Sequence, residues 1–565
     1  MKIRLLILLI VMIISIPVFS QTGRYWVQFS DKNNSTYSIS NPAAFLSSRA
    51  ITRRTVQGIP VLINDLPVNQ VYVNGVFATG AILLNKSKWM NGVMVAITNL
   101  SQLSAINQLP YVAITKYTAP LAKDKTSSDE RGSKWVLFDK LNNFSNTTVK
   151  PILHKPKSIS VLDYGAAYNQ IHMMNGEQLH DYGYKGEGMI IAVIDAGFFH
   201  VNTIAAFDSL YANNQIIGNH DFAEPGGNVF EKSTHGMMVL STMGGNLPGQ
   251  LVGTAPKAKY WLLRSEDETT EFPVEEYNWV SAAEFADSAG VDVINSSLGY
   301  TEFNDISLNH TYSQMDGMTT VVTRGAATAS SKGILVVNSA GNSGGSSWQY
   351  IGAPADADSI LAIGAVDNMG SYAYFSSTGP SADGRVKPDV AAQGEGTYVA
   401  SSNGNVFPGN GTSFSSPVLA GMSACLWQAS PGLSNLEIIQ AIKQSASQYY
   451  TPDSLLGYGI PDFSLALMIL SVKNFPNIDL GMHPVVFPNP FRDEFQVGFN
   501  VTDSQNVKIE VYDIAGKLVY VKDGIPASPG GSKVRVEISS SFRKGIYIIR
   551  LHSKSQIYTT KINKI

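Results

Sequence analysis

The stretch "GNGTSFSSPVLAG", Gly409 to Gly421, crowds glycines and hydroxyl side chains around Ser413 and then enters an apolar run, "MSACLWQAS". Two chemistries suit it. Ser413, Ser415 and Ser416 carry the side chains that cap a helix N-terminus, and Pro417 suits a first helical turn, where its missing N–H has no partner to lose. Alternatively, Ser413 is a nucleophile on a tight turn, with the helix N-terminus favouring negative charge beside it. A serine hydroxyl alone is a weak nucleophile. The second reading therefore requires a base, an acid that orients the base, and an oxyanion donor elsewhere in the chain.

Other stretches carry side chains of those types. "IIAVIDAGF" ends a β-branched run at Asp195, and "STHGMMVLSTMGG" opens a helix-compatible run at His235, where Gly236 and small neighbours leave the ring room to move. "ILVVNSAGNSGG" places Asn342 in a glycine-flanked loop, and "VINSSLG" ends in an edge suited to pairing with an extended peptide. Singly, each has an ordinary reading as a turn aspartate, a packed imidazole or a turn asparagine.

The elements that must position these residues follow from hydrophobic pattern. "MIIAVI", "VDVIN", "GILVVN" and "ILAIGAV" are short and continuously apolar, as strands buried on both faces are. They alternate with helical segments "EYNWVSAAEFADSA", "TTVVTRGAATASSK" and "SNLEIIQAIKQSAS", the last with capping-box spacing between Ser434 and Glu437. That alternation predicts an α/β domain with a parallel sheet flanked by helices, its site at the carboxyl ends of the strands. Residues 21–158 read as a small α+β unit followed by a polar linker, 159–473 as the α/β domain, and 474–565 as an all-β sandwich of alternating strands such as "VKIEVYDIAGKLVYV". Residues 1–20 read as a signal peptide, Lys2 and Arg4 preceding an apolar run from Leu5 to Phe19. No other run is long enough to span a bilayer.

Of the 565 residues, 15 % are charged and the formal net charge is −3, which points neither to nucleic acid nor to an anionic membrane surface. The one cysteine, Cys425, excludes internal disulfides in an exported chain and falls on an apolar helix face, so it reads as core.

The order Asp195, His235, Asn342, Ser413, carried by "VIDAGF", "HGMMVLSTM", "NSAGNSG" and "GTSFSSPVLAG", resembles the subtilisin-like serine proteases, and "FSSTGPSADGRVKPDV" adds to the likeness. The α/β-hydrolase elbow G-x-S-x-G fails, because Ser415 stands where the second glycine belongs, and the zinc motif H-E-x-x-H is absent. The resemblance implies a secreted serine endopeptidase with Ser413 as nucleophile, His235 as general base and Asp195 as its orienting acid. Asn342 and the Ser413 N–H would form the oxyanion hole. It implies that Ser297-Leu298-Gly299 and Ala340-Gly341 clamp a peptide or protein substrate as a strand, with Gly352 at the floor of the P1 pocket. No obvious partner for a basic P1 residue is present, which points to a neutral or apolar one. The chemistry requires no cofactor. Structural calcium suits an extracellular, disulfide-free chain, but "GGNLPGQLVG" does not copy the family's calcium loop and no spacing identifies metal ligands.

Two further expectations concern the flanks. Position and α+β pattern make residues 21 to about 120 a propeptide, with the maturation site between Lys123 and Ser160. "FPNPF", "VYDIAGKLVY", "GIYIIRL" and the final "KINKI" resemble the C-terminal sorting domain of the type IX secretion system of Bacteroidetes. That implies export through the periplasm and outer membrane to the medium or cell surface, with the secretion machinery as a partner. The rival function is a surface adhesin or scaffold on an inactive copy of the fold; all four catalytic positions being filled counts against it.

Overall fold

The computed structural model describes residues 21–121, 134, 138, 140–142, 161–474, 485–487, 491, 494–501, 503–527, 530–537, 542–554 and 557–564. The expected signal peptide and most of the expected linker lie outside the described residues.

The N-terminal unit builds β1 (Gly23–Phe29), α1 (Ser48–Val56), α2 (Gln70–Phe77), β2 (Ile82–Ser87), β3 (Gly92–Ile97), α3 (Leu100–Asn107) and β4 (Val112–Ala119). Its antiparallel sheet runs β2-β3-β1-β4. Tyr25, Val27 and Phe29 of β1 face a core shared with Val73 and Val76 of α2 and Leu103 and Ile106 of α3. Trp26, on the opposite face, stacks on Tyr277 of the next domain, ring centroids 4.6 Å apart.

That domain holds a seven-stranded, wholly parallel sheet. In chain order its elements are β5 (Ile190–Asp195), β6 (Ile216–Asp221), α4 (His235–Gly244), β7 (Lys259–Arg264), α5 (Val274–Ala289), β8 (Val293–Ser296), α6 (Val321–Ser331), β9 (Leu335–Ser339), β10 (Leu361–Val366), β11 (Val390–Gln393), α7 (Thr412–Gln428) and α8 (Asn435–Ser445). The strand order is β11-β10-β9-β8-β5-β7-β6. Period-2 alternation assigns each central strand to two cores: Ile191 and Val193 join α4 and α7, whereas Ala192 and Ile194 join α5 and α6. This is why these strands read as unbroken apolar runs.

Helix α7 is buried from Thr412 to Trp427 and begins differently from its sequence expectation. Its N-cap is Gly411, at φ 145°, a backbone region that glycine alone enters without strain, and none of the three serines caps the helix; the Thr412 N–H is served by Asn342 instead. Ser415 bonds back to the Thr412 carbonyl instead, and Ser416 reaches Asn295 of β8. Pro417 lies inside the helix rather than in its first turn.

The C-terminal region pairs β12 (Val485–Phe487), β13 (Glu494–Val501) and β16 (Gly530–Glu537) in one antiparallel sheet. A second sheet contains β14 (Gln505–Asp513), β15 (Leu518–Ala527), β17 (Gly545–His552) and β18 (Ile557–Lys564). Both contribute to one core that includes Phe495, Val497, Ile509, Val511, Ile549 and Leu551. Among the described residues no helix is long and apolar enough to cross a membrane.

Candidate active site

Asp195 is the last residue of β5, at the carboxyl end of the sheet and fully buried. Its Oδ1 lies 2.7 Å from His235 Nδ1 and also accepts the Ala196 N–H at 2.7 Å. Oδ2 has no hydrogen-bond partner among the described residues. A buried carboxylate in this position fixes which imidazole nitrogen carries the proton and holds the ring in place.

His235 opens α4, and its backbone N–H donates to Ser233 Oγ at 3.2 Å. A side chain on Gly236 would collide with the Gly197 carbonyl at 2.4 Å and with Asp195 Cβ at 2.9 Å, so glycine is what lets α4 begin against β5. Phe138 packs edge-on to the imidazole at 4.8 Å, and Phe414 lies 6.5 Å away.

Ser413 follows Thr412 at the start of α7. Pro417 has no N–H to give the Ser413 carbonyl across the first turn, and Ser297 Oγ donates to that carbonyl instead at 2.9 Å. Asn295 Nδ2 donates to Ser297 Oγ, and Ser416 Oγ donates to Asn295 Oδ1. The hydroxyl-rich start of α7 is thereby held to the end of β8. Asn342 accepts from both the N–H and the hydroxyl of Thr412 through Oδ1, at 2.8 and 2.9 Å. This leaves its NH2 as the end available to the cavity that Asn342 lines.

His235, Asn342 and Ser413 share that cavity, of about 240 Å³, with Ser297, Leu298, Gly299, Gly341 and Gly352, all expected from sequence. Ala340 is the exception: it is buried in a small apolar cluster with Ile351 and does not line the cavity. Glu302 does line it, which supplies an acidic group where the sequence offered none. A side chain on Gly352 would press on Thr301 Cγ2 at 2.9 Å.

Thr412 was not singled out in the sequence, yet its Oγ1 also accepts the Gly341 N–H at 3.2 Å and so couples two walls of the cavity. Lys134 and Phe138, on the expected linker, line the cavity as well. Cys425 is buried as expected, donates to the Thr254 carbonyl, and has its thiol pushed up by burial. Among the described residues, the trio of acids close enough to share one ion is Glu266, Glu271 and Glu275, and the Lys134 ammonium pairs with the first two.

Comparison with known proteins agrees with this architecture. Residues 186–459 match the subtilase family, residues 24–133 the Bacteroidota propeptide domain of that peptidase class, and residues 485–564 a secretion-system C-terminal sorting domain. The last of these marks an exported chain. The subtilisin of Bacillus pumilus is 30 % identical over 284 residues, covering 49 % of this chain and 90 % of that protein. Subtilisin E of Bacillus subtilis is also 30 % identical over 284 residues, but the match spans only 65 % of its length. The crystal structure of MycP1 from Mycobacterium smegmatis aligns with 55 % of this chain and 86 % of its own, at 22 % identity and a TM-score of 0.43. With a catalytic-domain match that takes in nearly the whole of one subtilisin, and with the sheet and strand-end residues described above, the chain belongs to the subtilase family.

Proposed function

We propose that the chain is a secreted serine endopeptidase that cleaves peptide bonds through an acyl-enzyme. Ser413 Oγ attacks the scissile carbonyl while His235 takes its proton through Nε2. His235 then returns that proton to the leaving amine, and a water repeats the sequence on the ester. Asp195 holds the imidazole in the required tautomer and stabilises its charged form without being protonated itself. The Asn342 amide and the Ser413 N–H at the α7 N-terminus receive the oxyanion. Side chains alone supply the acid, base and nucleophile. The extended edge Ser297–Gly299 on one side and Gly341 on the other take the substrate backbone.

The observation that carries this reading is the buried 2.7 Å contact between Asp195 and His235, with His235, Asn342 and Ser413 lining one cavity. Fluorophosphonate labelling of the processed protein, with the modified peptide mapped by mass spectrometry, tests it. Label on Ser413 that disappears in Ser413→Ala is the expected result. A folded, processed protein that takes no label would remove the proposal. The N-terminal unit fits a propeptide in this reading, and the sorting domain fits delivery to the cell surface or medium.

A further inference from the structure

Beside the cavity is a buried acidic cage. Glu266, Glu271 and Glu275 present carboxylate oxygens that all lie within 4.8 Å of one another, each from a side chain almost without solvent contact. Like charges so close in a low-dielectric site repel strongly unless a cation sits among them. The cation here is the Lys134 ammonium. It is paired with Glu266 and lies 2.8 Å from Glu271 Oε1.

Groups other than the occupant hold much of the cage. Glu275 is fixed by the N–H groups of Asp267 and Phe272. The backbone of Glu271 is bracketed by Asn304, which accepts its N–H through the side chain and donates its own N–H to its carbonyl. Tyr300, directly after the Ser297–Gly299 edge, donates its hydroxyl to Glu266 and turns its ring face to the ammonium, 4.4 Å from the centroid. A π face beside carboxylates suits an alkylammonium or guanidinium group, whereas it gives a metal ion no ligand atom. Glu271 Oε2 has no hydrogen-bond partner among the described residues, so the cage retains acceptor capacity that one ammonium does not fill. Burial raises the Glu271 and Glu275 carboxyls above their ordinary range, Lys134 opposing it. For Lys134 itself, burial works against the charged form, and the carboxylates, Glu266 foremost, overcome it.

Lys134 belongs to the stretch between the N-terminal unit and the catalytic domain, and it also lines the cavity that contains Ser413 and His235. A cation reaching the cage from this wall belongs to a chain lying in the cleft. We propose that Glu266, Glu271 and Glu275 form a subsite for a lysine or arginine side chain of the substrate, occupied here by the chain's own Lys134. The assignment rests on the endopeptidase reading. It adds that the enzyme selects peptides with a positive charge near the scissile bond.

The test uses the full chain after its own maturation and a set of quenched fluorescent peptides. Each is neutral except for one Lys, Arg or Gln placed at successive positions within reach of the cleft. At one position Lys and Arg should exceed Gln in kcat/KM by about tenfold or more, the scale of a charged contact made in a buried site. In Glu271→Gln and in Glu275→Gln that ratio should collapse towards one. Loss of fold would instead lower both rates together, and fluorophosphonate labelling of each variant confirms that the site is intact. The subsite is overturned if neutral peptides are cleaved with no preference at any position, or if the preference survives both substitutions. It is also overturned if millimolar Ca2+ stabilises the mature enzyme through Glu271 and leaves peptide selection unaltered. A protein that cleaves nothing and takes no label fails earlier, at the endopeptidase reading.

Discussion

Ser297 donates its hydroxyl to the Ser413 backbone carbonyl at 2.9 Å, serving the acceptor that Pro417, four residues further along α7, has no N–H to serve. One residue of an expected substrate edge is thus also the support of the expected nucleophile. The proline makes the bond necessary, because a buried carbonyl left without a donor is costly.

The pair Ser297 and Pro417 should therefore be coupled. Ser297→Ala should destabilise the protein by about 1–3 kcal/mol, the range for a buried polar group left unsatisfied. In a Pro417→Ala background, where the helix can supply its own N–H, the same change should cost less. A double-mutant cycle by denaturant unfolding measures the difference, and strictly additive effects would contradict the account.

The proposed catalytic residues should fail by different amounts. Asp195→Asn should lower kcat by about 10⁴ while leaving the fold intact, the figure known for the same change in a serine protease triad. Asn342→Ala should lower it by about 10²–10³, a magnitude measured on subtilisin itself and carried here with the family. Steady-state kinetics on a neutral peptide checks both, with KM expected to move far less than kcat.

Arg54 locks the N-terminal unit onto α5. It is fully buried and joins Asp65 of its own unit, at 3.0 and 3.1 Å, to both oxygens of Asp287, each at 2.8 Å. Arg54→Ala leaves two buried carboxylates short of a partner and should cost about 3–5 kcal/mol in docking or stability. Thermal unfolding of the unprocessed Ser413→Ala chain would show it. No change in the transition would contradict the structure.

That interface should also depend on pH in two directions. Burial works against the charged forms of Asp287 and Asp65. Lys88, Arg54 and Arg53 for the first, and the Leu62 N–H with Arg54 for the second, hold both carboxyls below the ordinary 3.8. Their contribution is complete above that value and is lost as pH falls beneath it. Glu284 accepts from Ser87 Oγ and from the N–H groups of Lys88 and Trp89, yet burial pushes it up to about 7 from 4.5. Docking therefore takes up a proton at Glu284, and this contribution weakens as pH rises from 4.5 towards 7. Tryptophan fluorescence, reporting Trp26 on Tyr277, should show tightest docking near pH 4 and loosening on both sides. A flat profile from pH 3 to 7 would be the contrary result.

Residue type and chain order made the candidate site legible because buried parallel strands announce themselves and their carboxyl ends are where side chains enter a cleft. Asp195 and Asn342 were found in this way. The cage was not legible: nothing local in "RSEDETTEFPVEEY" reveals that Glu266, Glu271 and Glu275 come together, or that Glu266 pairs with a lysine 132 residues before it. The burial of Arg53 and Arg54 was equally invisible, because their acidic partner Asp287 lies more than 230 residues away. The place of Pro417 escaped because the helix starts at Thr412, before the apolar periodicity begins. Helix α2 and strands β2 and β3 of the N-terminal unit carried no separate signal. "GVMVAI" is buried on both faces only because α5 covers the side that the unit's own helices leave open.

Phe138 stands edge-on to His235 at 4.8 Å, on a stretch that also anchors Asn142 to Asn410 by hydrogen bonds in both directions. An imidazole so covered has an aromatic ring against one of its edges. On the endopeptidase reading, displacing Phe138 raises the local polarity around His235 at the same moment that it opens room for substrate. Activation of this chain is then a change of solvent around one ring as much as a change of shape.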